Sequence, residues 1–484
     1  MALNDKKDNP MKQPSVTRRD FFKSASLLSF MMLPGVGRIQ ARPFSPIDEP
    51  EDYVGRICYN ENPLGPSPLG LQALRDEAVL AHRYPNWLNT NVESVLAEYY
   101  EMNSDQFCIG AGATEMIQKV ADAFVGPEDE VITAYPSYTQ IANQAIKNGG
   151  SAVYVPLDEN YDIDLTAILD AVTENTTLIS LVNPNNPLGR IIPSNDFASF
   201  LDQVPENIVV CVDEAYFEYV TDPNYETVIP TIQDGKPVVV IRTFSKVFGL
   251  AGERIGYTVS TPELTDQIES VQLYATVTRT SQAAAIASLE DTDHIEATLA
   301  LNEEAKTILY DGFASLGLSY IPSETSFMMV DCGVEAQPVA EALYDAGFII
   351  RHGWDMPNHL RVSTGTIDEM NGFIEALGNA IESVSVQSNL VPLSPGIKHI
   401  YPNPFNQSCK IKITTHENEK TLLIIYDTLG RRVTTLVNQT LTPGNHELSW
   451  NGKNVFGKNS ASGMYLLHMI HGEFASTQTL QLVK

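Results

Sequence analysis

The chain has 484 residues and a formal charge of −29, with 43% hydrophobic residues. Such a length allows several domains. The charge is uneven: residues 43–400 hold 52 of the 60 acidic and only fifteen of the 31 basic residues, a surface that argues against nucleic acid or anionic membrane as partner.

At the N-terminus, Ser15-Val16-Thr17-Arg18-Arg19-Asp20-Phe21-Phe22-Lys23 precedes an apolar stretch from Ala25 to about Val36 and a small residue at Ala41. A charged start, a short apolar run and a small residue in that order predict an export signal over residues 1–41. The run is too short to span a bilayer stably. The arginine pair followed by Phe21, Phe22 and Lys23 resembles a twin-arginine signal, which implies export of an already folded protein through the periplasm.

The middle of the chain alternates apolar strands with helical stretches, the pattern of a parallel α/β sheet. Ile109-Gly110-Ala111-Gly112-Ala113-Thr114-Glu115 opens a helical pattern to about Phe124. Glycines admit a ligand close to the backbone, and a helix N-terminus presents N–H groups to phosphate. The third glycine of a dinucleotide fingerprint is missing. Leu178-Ile179-Ser180-Leu181-Val182 leads into Asn183-Pro184-Asn185-Asn186-Pro187-Leu188-Gly189, a buried strand followed by a rigid turn. An X-Pro bond at such a turn is a candidate for the cis form. Val209-Val210-Cys211-Val212 ends in Asp213, which in an open α/β sheet points into the ligand crevice. A helix-capping Asp is the alternative reading.

Val238-Val239-Val240-Ile241 then runs into Thr243-Phe244-Ser245-Lys246, with Arg254 eight positions on. A lysine at the end of a buried strand needs a role, and one such role is a covalent tether to an aldehyde cofactor. Thr243, Ser245 and Arg254 suit a phosphate on that cofactor. Cys58, Cys108, Cys211, Cys332 and Cys409 show neither close pairing nor metal-ligand spacing, so no disulfide framework and no metal site are expected. Cys108 and Cys211 read as buried small hydrophobes.

These segments together resemble the fold-type I aminotransferases that use pyridoxal phosphate (PLP), most closely the histidinol-phosphate aminotransferase group. The resemblance is collinear from about Gly55 to Leu377. It also takes in Asn60-Glu61-Asn62-Pro63-Leu64-Gly65-Pro66-Ser67-Pro68, Arg83-Tyr84-Pro85, Ala134-Tyr135-Pro136-Ser137-Tyr138 and Leu360-Arg361-Val362-Ser363-Thr364-Gly365-Thr366. It implies a large, mostly parallel sheet domain over about 70–285 and a small α/β domain formed by 45–69 and 286–386.

Carried over position by position, the resemblance makes Lys246 the Schiff-base lysine and proton carrier and Asp213 the partner of the pyridinium. Asn186 and Tyr216 become the pair on the phenolic oxygen. Lys246, Asp213 and Tyr216 would be the catalytic residues. Tyr138 would stack on the ring, while Ala113, Thr114, Thr243, Ser245 and Arg254 would cradle the phosphate. Tyr84 would reach the phosphate of a neighbouring subunit, implying a homodimer. Arg361, Arg351 and Asn60 would face the substrate.

Three departures from the pattern bear on the phosphate cradle and on the substrate. Ala113-Thr114 stands where many relatives carry Ser-Asp, Leu188 replaces a usual threonine, and Leu273-Tyr274-Ala275-Thr276-Val277 lacks a usual proline. The implied reaction moves an amino group between an amino acid or phosphorylated amine and a 2-oxo acid in two half-reactions, with ping-pong kinetics. Decarboxylation or elimination on the same scaffold, and a non-catalytic binding protein displayed at the surface, are the alternatives.

Ser383 to Lys398 loses helical periodicity, and a linker is expected over 387–400. Short alternating strands follow at Lys410–Thr414, Leu422–Asp427, His446–Trp450 and Met464–Met469, separated by turns such as Pro443-Gly444-Asn445 and Asn451-Gly452-Lys453. That spacing predicts a small β-sandwich over 401–484. Tyr401-Pro402-Asn403-Pro404-Phe405-Asn406, the Tyr426–Arg432 segment, Ser462-Gly463-Met464-Tyr465 and the terminal Lys484 resemble the C-terminal sorting domain of type IX secretion substrates. The resemblance implies delivery to the cell surface or medium. Because histidine biosynthesis is cytoplasmic, export argues for a substrate other than histidinol phosphate.

Overall fold

The computed structural model describes residues 53–85, 92–271, 273, 275–390, 395–406, 408–472 and 474–483. The proposed signal at 1–41, Tyr274 and Lys484 lie outside them. The described residues divide into two compact units, one within residues 44–393 and one within residues 394–484.

The first unit is built on a seven-stranded sheet. Its spatial order is Phe107–Gly110, Gly256–Val259, Val238–Thr243, Val209–Asp213, Thr176–Val182, Glu130–Tyr135 and Ser151–Pro156. Gly256–Val259 is antiparallel to both neighbours and every other pair is parallel. The central strands are buried throughout: no residue of Val238–Thr243 or Val209–Asp213 is exposed. This is why they read as continuous apolar runs rather than alternating ones, since helices cover both faces of a parallel sheet.

The C-terminal ends of Val209–Asp213 and Val238–Thr243 lie side by side, so the residues following them converge. Asn183-Pro184 is cis, as is Tyr135-Pro136.

A second sheet within this unit is antiparallel, in the order Arg351–Gly353, Met356–Ser363, Phe327–Asp331, Ser319–Ile321. The helices Thr292–Ser315, Ala336–Asp345 and Ile367–Leu390 share a buried core with it, including Leu309, Phe313, Met328, Val330, Leu343 and Phe373. Gly55–Arg56 pairs in parallel with Phe348–Ile349. The N-terminal segment therefore belongs with this second layer, and its continuation, residues 57–62, passes over the ends of the large sheet's strands.

Regular structure extends into both ends of the linker expected over 387–400. The helix runs on to Leu390 and the next strand starts at Gly396. The second unit holds two antiparallel sheets, Gly396–Tyr401, Cys409–Thr415, Gly444–Trp450 and Arg432–Leu441, Glu419–Asp427, Gly463–His471, Phe474–Leu482. Ile411, Ile413, Leu423, Ile425, Leu467 and Met469 fill the space between their inner faces. Strand Cys409–Thr415 shows the driving pattern: Cys409, Ile411 and Ile413 are buried while Lys410 and Lys412 are exposed. Three strands, Gly396–Tyr401, Arg432–Leu441 and Phe474–Leu482, were not expected from the sequence; Arg432–Leu441 buries only Val437, so it carries little periodicity.

Candidate active site

Asp213 and Lys246 are brought together by strand order. Asp213 ends one central strand, and Lys246 follows the next one by three residues. Lys246 Nζ donates to the backbone carbonyls of Tyr59 and Asn60, both at 3.1 Å, and lies 5.4 Å from the centre of the Tyr216 ring. Its hydrogen bonds are to neutral carbonyls rather than to a carboxylate. Burial, helped by the Arg361 guanidinium, pushes the amine down to about 8. The neutral amine is therefore far more accessible near neutral pH than that of an exposed lysine.

Asp213 is buried and accepts from the Ala215 N–H at 3.0 Å. Burial raises it to about 6, against the opposing pull of that N–H and of Lys246. A buried carboxyl so placed favours a cationic ligand group that would restore its ionised form.

One end of the site is built to take an anion. Thr243 Oγ1 donates to Ser245 Oγ at 3.0 Å, and Arg254 Nη1 reaches Ser245 Oγ at 3.4 Å and the Ala251 carbonyl at 2.9 Å. Arg254 itself holds φ 52°, a left-handed conformation. The helix Gly112–Phe124 begins beside it, so the first N–H groups of that helix, with Ala113 and the exposed Thr114, face the same place. Two glycines make this approach possible. A Cβ on Gly112, at φ +79°, would lie 2.4 Å from Arg254 Nη2, and one on Gly256 would lie 2.6 Å from the Ala113 nitrogen.

The other end is held by Asn60, Tyr216, Asn186 and Arg361. Asn60 Nδ2 donates to the Tyr216 hydroxyl at 2.8 Å, and Ser363 Oγ donates to Asn60 Oδ1 at 2.7 Å. Asn60 adopts φ 56°, a left-handed turn that aims its amide inward. Arg361 Nη1 donates to Asn186 Oδ1 at 2.7 Å and Nη2 to the Cys58 carbonyl at 2.6 Å. Its Nε is buried with no hydrogen-bond partner among the described residues. Burial brings the guanidinium down to about 10. Tyr138 and Tyr216 are both pushed up to about 12, chiefly by burial, so both phenols remain neutral.

Thirteen of the fourteen residues expected from the sequence lie on these elements. Arg351 pairs with Arg361 across neighbouring strands and lies 5.0 Å from the Tyr59 ring centre. Tyr84 differs: the residue is 82% exposed, and its carbonyl accepts from Arg279 Nη1 at 3.3 Å. The sequence reading missed Tyr59, Ser363, Phe327 and Trp354. Tyr59 adjoins a motif already noted and Ser363 lies within one, whereas Trp354 lies in a short turn that no periodicity marks.

The site thus offers an amine, a buried acid, an anion cradle and a second, buried guanidinium. Those are the groups that a phosphorylated pyridine aldehyde requires, and the two glycines let the helix N-terminus and Arg254 approach one another closely enough to share its phosphate. The model of the family described as aminotransferase class I and II matches residues 55–377. The chain belongs to that family. It is 36% identical over 343 residues to a histidinol-phosphate aminotransferase of Moorella thermoacetica, covering 69% of this chain and 89% of that protein. It is 35% identical over 346 residues to one of Symbiobacterium thermophilum, covering 70% and 95%.

Among solved structures, the histidinol-phosphate aminotransferase of Sinorhizobium meliloti in complex with pyridoxal-5'-phosphate superposes with a TM-score of 0.65 at 31% identity, covering 69% of this chain and 92% of that one. The aminotransferase is a PLP-dependent transaminase of the histidinol-phosphate aminotransferase-like group. Residues 399–483 match the secretion system C-terminal sorting domain, so this aminotransferase is an exported protein.

Proposed function

We propose that this aminotransferase moves an amino group from an amino acid bearing a carboxylate near its reacting carbon to a 2-oxo acid, outside the cytoplasm. The observation that carries the reading is the placement of Lys246. Its amine is held by two carbonyls, depressed to about 8 by burial, and lies within the fields of Arg361, Glu61, Asp213 and Arg254.

Arg254, Ser245, Thr243 and the N–H groups at Ala113 and Thr114 would hold the PLP phosphate. Asp213 would face the ring nitrogen, Asn186 and Tyr216 the ring hydroxyl, and Tyr138 the ring face. When bound, PLP supplies an aldehyde carbon for the migrating amino group and an electron-accepting ring. Lys246 Nζ, in its neutral form, would take the proton from the substrate's α-carbon and deliver it to the carbon on the far side of the migrating nitrogen, the task of a general base and acid of suitable pKa. Asp213 keeps a positive charge beside it and so favours electron flow away from that carbon. Arg361 receives the substrate's carboxylate, and its unpartnered Nε supplies a donor for it. Asn60, fixed by Ser363, orients Tyr216.

A homodimer is part of the proposal. Leu64, Leu69, Val79, Leu80 and Tyr84 are exposed along one stretch of chain, and exposed apolar side chains in series mark an association surface. We also divide the first unit at about residues 70 and 285, in keeping with the pairing of Gly55–Arg56 with Phe348–Ile349. Transit through the periplasm on the N-terminal twin-arginine segment completes the reading.

The test is an absorbance titration of the purified full chain with PLP, a panel of amino acids and histidinol phosphate. A visible cofactor band that Lys246→Ala loses and one amino acid converts is the expected result. Conversion by histidinol phosphate alone would overturn the substrate assignment. Release of carbon dioxide or ammonia without a new amino acid would overturn the transfer.

A further inference from the structure

Arg361 is surrounded by more than its two hydrogen-bond acceptors. Its guanidinium carbon lies over the Phe327 ring at 5.3 Å and over the Trp354 ring at 5.1 Å. Phe327 belongs to the buried strand beside it and is itself fully buried. Trp354 arrives differently. It occupies, with Asp355, the turn between strands Arg351–Gly353 and Met356–Ser363. Both turn residues have positive φ, 56° and 57°, a conformation that favours glycine or asparagine over a bulky side chain.

Two anchors compensate. The Tyr135 hydroxyl donates to Asp355 Oδ2 at 2.9 Å, and Trp354 packs on the cluster of Leu188, Ile321, Met329 and Met356. Leu188 is the apolar departure in the Asn183–Gly189 turn. The side chains that anchor this turn thus place an indole on the guanidinium that receives the substrate.

We propose that Trp354 is a positioning residue for substrate binding: its indole holds the Arg361 guanidinium in place and keeps water from it, and so raises the affinity of the site for the substrate's anionic group. The inference rests on the assignment of Arg361 as the anion receptor. A guanidinium stripped of water attracts a carboxylate far more strongly than a hydrated one. One held by an aromatic face loses less conformational freedom when the anion arrives. A cation–aromatic contact of this kind, partly desolvated, corresponds to a change in affinity of about ten-fold.

The experiment uses the full chain loaded with PLP, with Trp354→Ala and Trp354→Phe. One readout is the rate at which phenylglyoxal modifies Arg361, followed by peptide mass spectrometry. The other is the Kd of maleate, a dicarboxylate with no amino or oxo group, by calorimetry. Trp354→Ala should speed modification of Arg361 and weaken maleate binding, each by about ten-fold. Trp354→Phe should restore both to within about two-fold, because it keeps an aromatic face. The cofactor band should be unchanged in each.

Equal modification rates, or a maleate affinity unaltered in Trp354→Ala, would overturn the proposal. Wild-type protein that binds maleate no better than Arg361→Ala would instead overturn Arg361 as the anion receptor, and the modification rates would still decide the shielding. Arg242, buried elsewhere in the unit, reports on folding: should it also react in Trp354→Ala, the comparison passes to Trp354→Leu. That variant keeps apolar bulk without an aromatic face and must still weaken maleate binding.

Discussion

Glu214 and Arg242 form a buried ion pair one residue away from the chemistry. Arg242 Nη2 lies 2.7 Å from Glu214 Oε2, with side-chain exposures of 3% and 0%. Glu214 follows Asp213, and Arg242 precedes Thr243, so the pair ties together the ends of the two strands that carry the acid and the phosphate cradle. It is well satisfied. Val228 N–H and Thr227 Oγ1 donate to Glu214, Arg242 also donates to Tyr100 and Thr227, and its guanidinium lies 3.8 Å from the Phe217 ring centre.

Breaking one half of such a pair leaves a buried, uncompensated charge, which costs about 3–5 kcal/mol. Arg242→Ala should therefore destabilise the aminotransferase unit by about that amount in urea unfolding. A loss below about 1 kcal/mol would show that water reaches Glu214.

Asp213 should make the cofactor-free protein less stable at neutral pH. Its folded-state pKa, about 6, exceeds the ordinary aspartate value of 3.8. The folded chain therefore binds more protons than the unfolded chain between those values. The stability from Asp213 is present below about pH 4 and is lost as pH rises through 6. Asp213→Asn should raise the stability of the PLP-free protein at pH 7 by about 1–3 kcal/mol while abolishing most turnover. Thermal melts of both proteins between pH 5 and 8 check this; a variant less stable at pH 7 would refute it.

Lys246 should take up PLP with an unusual pH dependence. Burial depresses its amine to about 8 from 10.5. Only the neutral amine is nucleophilic, so the rate of cofactor uptake should rise with pH and reach half its plateau near 8, followed by stopped-flow absorbance. A midpoint above 10 would mean that Nζ is hydrated.

What the sequence made legible divides along physical lines. Asp213, Lys246 and Asn186 stood out because each follows a continuous apolar strand, and strand ends in a parallel sheet converge on the crevice. The Asn60–Ser363 bond was invisible because it joins residues 303 positions apart. The role of Glu214 was hidden beside a better-known acid, since only the sheet register shows that Arg242 faces it. Trp354 gave no signal at all: its position depends on a turn conformation that its sequence disfavours. Helix Ile367–Leu390 outruns its expected end because its last turn, Gln387-Ser388-Asn389-Leu390, is mostly polar and carries no apolar periodicity.

Gly112 should tolerate no side chain. A Cβ there would meet Arg254 Nη2 at 2.4 Å, and the residue sits at φ +79°. The arginine end is flexible and would yield, but in doing so it would leave the phosphate cradle. Gly112→Ala should thus weaken PLP affinity by about ten-fold, the loss of one charge-assisted contact. Equilibrium dialysis measures it, and an unchanged affinity would remove Arg254 from the cradle.

Trp450 should control the stability of the C-terminal sandwich without touching the chemistry. It is 2% exposed, packs edge-on against Phe405 and Tyr465 at 5.4 and 5.1 Å, and donates its indole N–H to the Lys453 carbonyl at 2.9 Å. Removing so large a buried ring leaves a cavity and costs about 3–5 kcal/mol. A domain of this size has only about 5–15 kcal/mol in total, so Trp450→Ala should bring its unfolding to markedly lower temperature. Every side chain placed in the active site lies between residues 59 and 363; the cofactor band and turnover should therefore remain those of the wild type. Calorimetry and absorbance on the same sample test the two halves of the statement. Loss of the cofactor band at a temperature where only the C-terminal unit has melted would show that the two units fold as one.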